Sequence, residues 1–108
     1  MKLLVIVALV FCTAVSQGAH AETPTFDCKI SDGGQSDHIY GSNPSAQNFT
    51  CNVRCDMHQT DGRLVIERCV NALLLHGEVN KLLCGTPKPD WTLHLEAVDG
   101  VAHDCKQF

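Results

Sequence analysis

Cysteine content sets the limits for this chain. Seven cysteines occur among 108 residues. One, Cys12, lies in an apolar leader, and six follow it: Cys28, Cys51, Cys55, Cys69, Cys84 and Cys105. An even number of widely spaced cysteines in a short exported chain reads as a disulfide framework, in which cross-links replace part of the core that a small domain cannot build. The expected fold class is therefore small, disulfide-rich and mainly β, with short antiparallel sheets joined by irregular loops.

Export is read from the first residues. Lys2 provides a positive start, Leu3 to Val15 form a nearly unbroken apolar run, and Ala19-His20-Ala21 supplies small residues where a signal peptidase requires them. Residues 1–21 are expected to be a signal peptide, and residues 22–108 a single secreted, extracellular domain. The apolar run falls short of the roughly 20 residues a helix needs to cross a bilayer, so membrane insertion is not expected. Loss of the leader removes Cys12 and Lys2. Seven basic residues then face twelve acidic ones, a formal charge of −5. That balance gives little electrostatic support for a nucleic-acid or anionic-membrane partner.

Along the expected mature chain, Glu22 to Asp27 lacks apolar periodicity and reads as a loose tail. Between Cys28 and Cys51, the turn formers Ser31-Asp32-Gly33-Gly34 and Gly41-Ser42-Asn43-Pro44-Ser45 flank the apolar pair Ile39-Tyr40, which predicts a hairpin-like excursion held by sulfur at both ends. From Phe49 the pattern alternates: Phe49, Cys51 and Val53 on one face, Thr50, Asn52 and Arg54 on the other, as in a half-buried strand. Asp61-Gly62 marks a tight turn into a second strand, Arg63 to Cys69. Val70, Leu73, Leu74, Leu82 and Leu83 could form a helical stripe interrupted by Gly77, so 70–83 is expected to be a short helix or an irregular loop. After Pro87 and Pro89, alternation of Trp91, Leu93, Leu95 and Ala97 with polar residues predicts a strand over 90–98, followed by a turn at Asp99-Gly100.

Few residues offer chemistry. Asn48-Phe49-Thr50 is a glycosylation sequon, so Asn48 is a candidate glycan carrier in an exported chain. His38, His58, His76, His94 and His103 include no short-spaced pair of the kind that marks a helical metal site, and no metal or cofactor is expected. Cys51 and Cys55 have a spacing that zinc sites use, but an oxidising compartment favours disulfides. Nothing in the spacing picks out a nucleophile with its base, or two carboxylates across a cleft, so catalysis is not expected. Leu73, Leu74, Leu75, Leu82 and Leu83 form a leucine-rich segment between two cysteines. They are either the small core or, in part, a partner-binding surface.

The order Cys28, a glycine-containing excursion, Cys51-Asn52-Val53-Arg54-Cys55, a turn, and Gly62-Arg63-Leu64-Val65-Ile66-Glu67-Arg68-Cys69 resembles single-domain von Willebrand factor type C proteins of arthropods, including salivary proteins of ticks. Those proteins carry eight cysteines with an adjacent pair near the C-terminus, whereas Cys84 and Cys105 stand singly here. The three-residue gap between Cys51 and Cys55, with a cysteine following a glycine turn, is also similar to the chemokine-binding evasins. Either resemblance implies a protein that works by occupying a surface on a host protease, complement component or chemokine; the chain is expected to be a monomer. A channel-directed venom toxin and an endogenous signalling or defence peptide are the other classes that such a scaffold serves. Six cysteines allow about fifteen pairings. The expected one joins Cys28, Cys51, Cys55 and Cys69 among themselves and leaves Cys84 with Cys105.

Overall fold

The structure, a computed structural model, describes residues 22–108. The expected signal peptide lies outside the described residues. Among the described residues six strands are present: β1 (Thr25–Ser31), β2 (Ser36–Ser42), β3 (Phe49–Gln59), β4 (Leu64–Leu74), β5 (Lys81–Gly85) and β6 (Leu95–Gln107). They form two antiparallel three-stranded sheets, ordered β1-β2-β5 and β4-β3-β6. The expected class, small, disulfide-rich and mainly β, is the observed one.

Alternation dictates the layering. On β3, Cys51, Val53, Cys55, Met57 and Gln59 are all buried, and the residues between them face outward. Their inward row meets Cys28 and Ile39 of the other sheet, together with Cys69 and Leu95, in a single core. Phe26, Leu83 and Leu93 close its margins. With so few large apolar side chains inside, burial alone stabilises a domain of this size only marginally, and the disulfides supply the remainder.

Two hairpins begin the architecture. The first turns through a short 3-10 segment, Asp32–Gly34, in which Gly34 has φ 95° and approaches the Leu95 carbonyl so closely that no β-carbon would fit. The second turns at Asp61-Gly62, as expected, with Gly62 at φ 89°. β5 then returns to pair with β2, and β6 pairs with β3 along eleven register positions.

Several expectations are corrected. The tail reading of Glu22 to Asp27 holds only for its first residues, because β1 begins at Thr25 and pairs with β2 from there. No helix forms over 70–83. β4 runs on to Leu74, a turn follows, and β5 starts at Lys81. The physical reason is local: Asn71, Gly77 and Asn80 all adopt positive φ (54°, 80° and 50°), which a helix cannot accommodate, and the backbone hydrogen bonds of the segment go to β3 on one side of the turn and to β2 on the other. The strand expected over 90–98 starts only at Leu95. Asp90 accepts from the backbone N–H (2.9 Å) and hydroxyl (2.6 Å) of Thr92, closing a turn that leaves Trp91 77 % exposed. Asp99-Gly100 is no turn but an irregularity inside β6.

Disulfide pairing agrees with the expectation at Cys28 and Cys55, both of the expected foursome, and departs from it at the other four cysteines. Cys28 joins Cys55, Cys51 joins Cys105, and Cys69 joins Cys84. The first and third bridges cross from one sheet to the other, whereas the second links directly opposed residues of β3 and β6. Cys84 cannot reach Cys105 by this route, since β5 belongs to one sheet and β6 to the far edge of the other.

Candidate functional site: the outer face of the β4-β3-β6 sheet

The leucine-rich segment does not make one surface. Leu74 is fully buried, and Leu83 packs against the core. Leu73, Leu75 and Leu82 are exposed, but Leu73 lies opposite Thr50 of β3 while Leu82 sits beside Tyr40 on the other sheet. β4 and β5 thus turn Leu74 and Leu83 inward while directing Leu73 and Leu82 to different sheets, and Leu75 follows the end of β4.

A different apolar row takes shape on β4. Because Val65, Glu67 and Cys69 face inward, Leu64, Ile66, Arg68 and Val70 face outward. Leu64 is 63 % exposed and Val70 69 %, with Ile66 also exposed. β4 ends its sheet, and exposed apolar residues on an end strand are normally suppressed because they invite further pairing. The sequence signal was the unbroken Leu64-Val65-Ile66 run: a strand whose inner face is already filled has to leave part of such a run in water.

The central and far strands of this face are polar. Outward from β3 come Thr50, Asn52, Arg54, Asp56 and His58. Arg54 stands opposite Arg68 on one side and Ala102 on the other. Asn52, Arg54, Arg68, Val70, Ala102 and Asp104 border a shallow depression of about 320 Å³. Its edge is shaped by a bulge, where Val70 and Asn71 together face Asn52 and the Asn52 Oδ1 accepts the Asn71 N–H at 2.8 Å.

At the other end of the face, His58 is gripped by two carboxylates. β6 shifts register twice, and the extra residues are Asp99 and Glu96. Asp99 Oδ1 lies 2.8 Å from His58 Nδ1, and Glu96 Oε1 lies 2.9 Å from Nε2. The hydrogen bond to Asp99, then that to Glu96, raises the imidazole pKa above its usual value, because the cation can donate from both nitrogens.

Beneath the face lies an acidic pair. Glu67 of β4 points inward toward Asp37 of β2, which is 3 % exposed and accepts the Thr86 hydroxyl at 2.8 Å. Burial, then the hydrogen bond and charge of Asp37, push Glu67 up to about 7. Two carboxyls facing each other between sheets keep a proton more readily than they ionise together.

The remaining candidate residues are structural or peripheral. Ser36 is buried and donates to Asp32 at 2.6 Å, while Ser31 lies 2.7 Å from Ser36 and 3.4 Å from His38 Nδ1, a chain that fastens the first hairpin. The sequon residue Asn48 precedes β3, and its Oδ1 accepts the His76 N–H at 3.0 Å. Its Nδ2, the atom that carries a glycan, makes no hydrogen bond among the described residues. Among the described residues, no three His, Cys, Asp or Glu side chains converge to hold a metal ion, and no helix is long and apolar enough to cross a membrane. Three disulfides in a small domain are typical of extracellular proteins. Comparison with family models, curated proteins and solved structures gives no match for this chain.

Proposed function

We propose that the chain is a secreted binding protein that inhibits or modulates an extracellular protein of a host, a protease, complement component or chemokine, by docking through the outer face of the β4-β3-β6 sheet. The observation that carries this reading is the exposed row Leu64, Ile66 and Val70 on an end strand, beside a depression bordered by arginines. Apolar residues ringed by polar ones, on a backbone held rigid by cross-links, suit protein docking because little conformational freedom is lost on binding. The resemblance to small secreted arthropod proteins points to the same partner classes. Asn48 would carry a glycan at the sheet's entrance, away from the Leu64 end of β4.

Purified proteases, complement components and chemokines, screened by biosensor against the oxidised protein, test this. A member that binds with a Kd below about 1 µM, and at least tenfold more weakly to Val70→Glu of unchanged melting temperature, supports it. Binding that ignores Val70→Glu, or no binding across the panel, overturns it.

A further inference from the structure

Arg54 and Arg68 occupy directly opposed positions on β3 and β4, both facing outward. Side chains so placed in an antiparallel pair start about 4.5–5.5 Å apart at their β-carbons, and like charges there repel. Arg54 is partly relieved by Asp56, whose Oδ2 lies 3.0 Å from its Nη2. Arg68 has no carboxylate within ion-pair distance among the described residues. Such a pair persists at a cost to the free protein, and an anion placed between the two guanidiniums removes the cost.

The surroundings narrow the kind of anion. Val70 and Ala102 give the depression carbon walls, so the bound group needs an apolar stem. Asp104, on the same border, makes no ion pair with either arginine, and it opposes a second negative charge. The excess of acidic residues over the whole chain likewise repels polyanions. Guanidinium forks match carboxylates in two parallel hydrogen bonds. Resting on the docking reading above, we propose that the depression receives one acidic side chain of the partner protein, its carboxylate forked between Arg54 and Arg68 and its methylenes against Val70 and Ala102. The bulge at Asn71, held by Asn52, fixes Val70 as the wall of this socket.

The test titrates the oxidised protein with the capped tripeptides Leu-Glu-Leu and Leu-Gln-Leu while the arginine Nε–H signals are followed by NMR. Saturable shifts of Arg54 and Arg68 with the Glu peptide are expected, at least tenfold weaker with the Gln peptide, and the Arg54 shift is expected to vanish in Arg68→Gln. Equal response to both peptides overturns the proposal. So does an equal response to sodium acetate or sulfate, which would mean an adventitious ion only. The two readings separate cleanly: partner binding lost in Val70→Glu but retained in Arg68→Gln keeps the docking face and refutes the carboxylate socket.

Discussion

Raising the pH from 4.5 to 8.5 should loosen this protein, and Glu67 is the reason. In the unfolded chain its carboxyl titrates near 4.5, whereas between the sheets, facing Asp37, it holds its proton up to about 7. The folded state thus favours the protonated form. Stabilisation is complete below the unfolded pKa and is lost as pH climbs through the folded one. At about 1.4 kcal/mol for each pH unit, the ceiling is about 3 kcal/mol. Water reaching the half-buried carboxyl reduces this to about 1–2 kcal/mol. For a domain of this size, each kcal/mol moves the melting temperature by about 4–8 °C. Thermal unfolding followed by circular dichroism should therefore show a drop of roughly 5–15 °C between pH 4.5 and 8.5. Glu67→Gln keeps a hydrogen-bonding partner for Asp37 without the titration, and should retain only the smaller drop owed to His58. A melting temperature that is flat or rises over this range, or a variant that falls as steeply as the parent, would refute the reasoning.

Further outcomes follow from other contacts. Replacing Cys51 and Cys105 by serine opens a 54-residue loop and should cost about 4 kcal/mol, against about 3 kcal/mol for the 15-residue loop of Cys69 and Cys84, measured by denaturant unfolding of each double variant. Asn43 is fully buried and joins two connections, its Nδ2 donating to the Gln47 and Leu74 carbonyls and its Oδ1 accepting from Ser45. Asn43→Ala should lower stability by about 1–3 kcal/mol in the same assay. The His58 ring should titrate above 6.5 by NMR, and Asp99→Asn should bring it down, since Asp99 makes the leading contribution. Stability owed to this clasp is full below 6.5 and fades as pH passes the raised value.

What the sequence reveals here is local, and what it hides is long-range. Alternation through Phe49, Cys51 and Val53 shows β3 because one face of that strand is buried from Cys51 to Gln59, with Phe49 half-buried at its start. Asp61-Gly62 shows the second hairpin because few residue pairs accept its backbone angles. The bulges were invisible, since an extra residue in one strand is defined only by its partner. Asn71 breaks the phase of β4 and Glu96 and Asp99 that of β6, while the Asp90-Thr92 turn holds the start of β6 back to Leu95, so apolar spacing over 70–83 and 90–98 points to structures other than those formed. Disulfide pairing was equally hidden. Cys51 and Cys105 are 54 residues apart and meet only after β6 has docked on β3. The arginine pair belongs to the same class, because neither Arg54 nor Arg68 is unusual until the register sets one against the other.

Everything proposed for the outer face depends on β3 lying between β4 and β6 while the second sheet is stapled across it. Peptide mapping of the unreduced, oxidised protein by mass spectrometry tests that arrangement directly. The account predicts the linked pairs Cys28 with Cys55, Cys51 with Cys105, and Cys69 with Cys84. A Cys84 to Cys105 linkage would contradict it, because no sheet order with β5 and β6 at these edges brings those two sulfurs together.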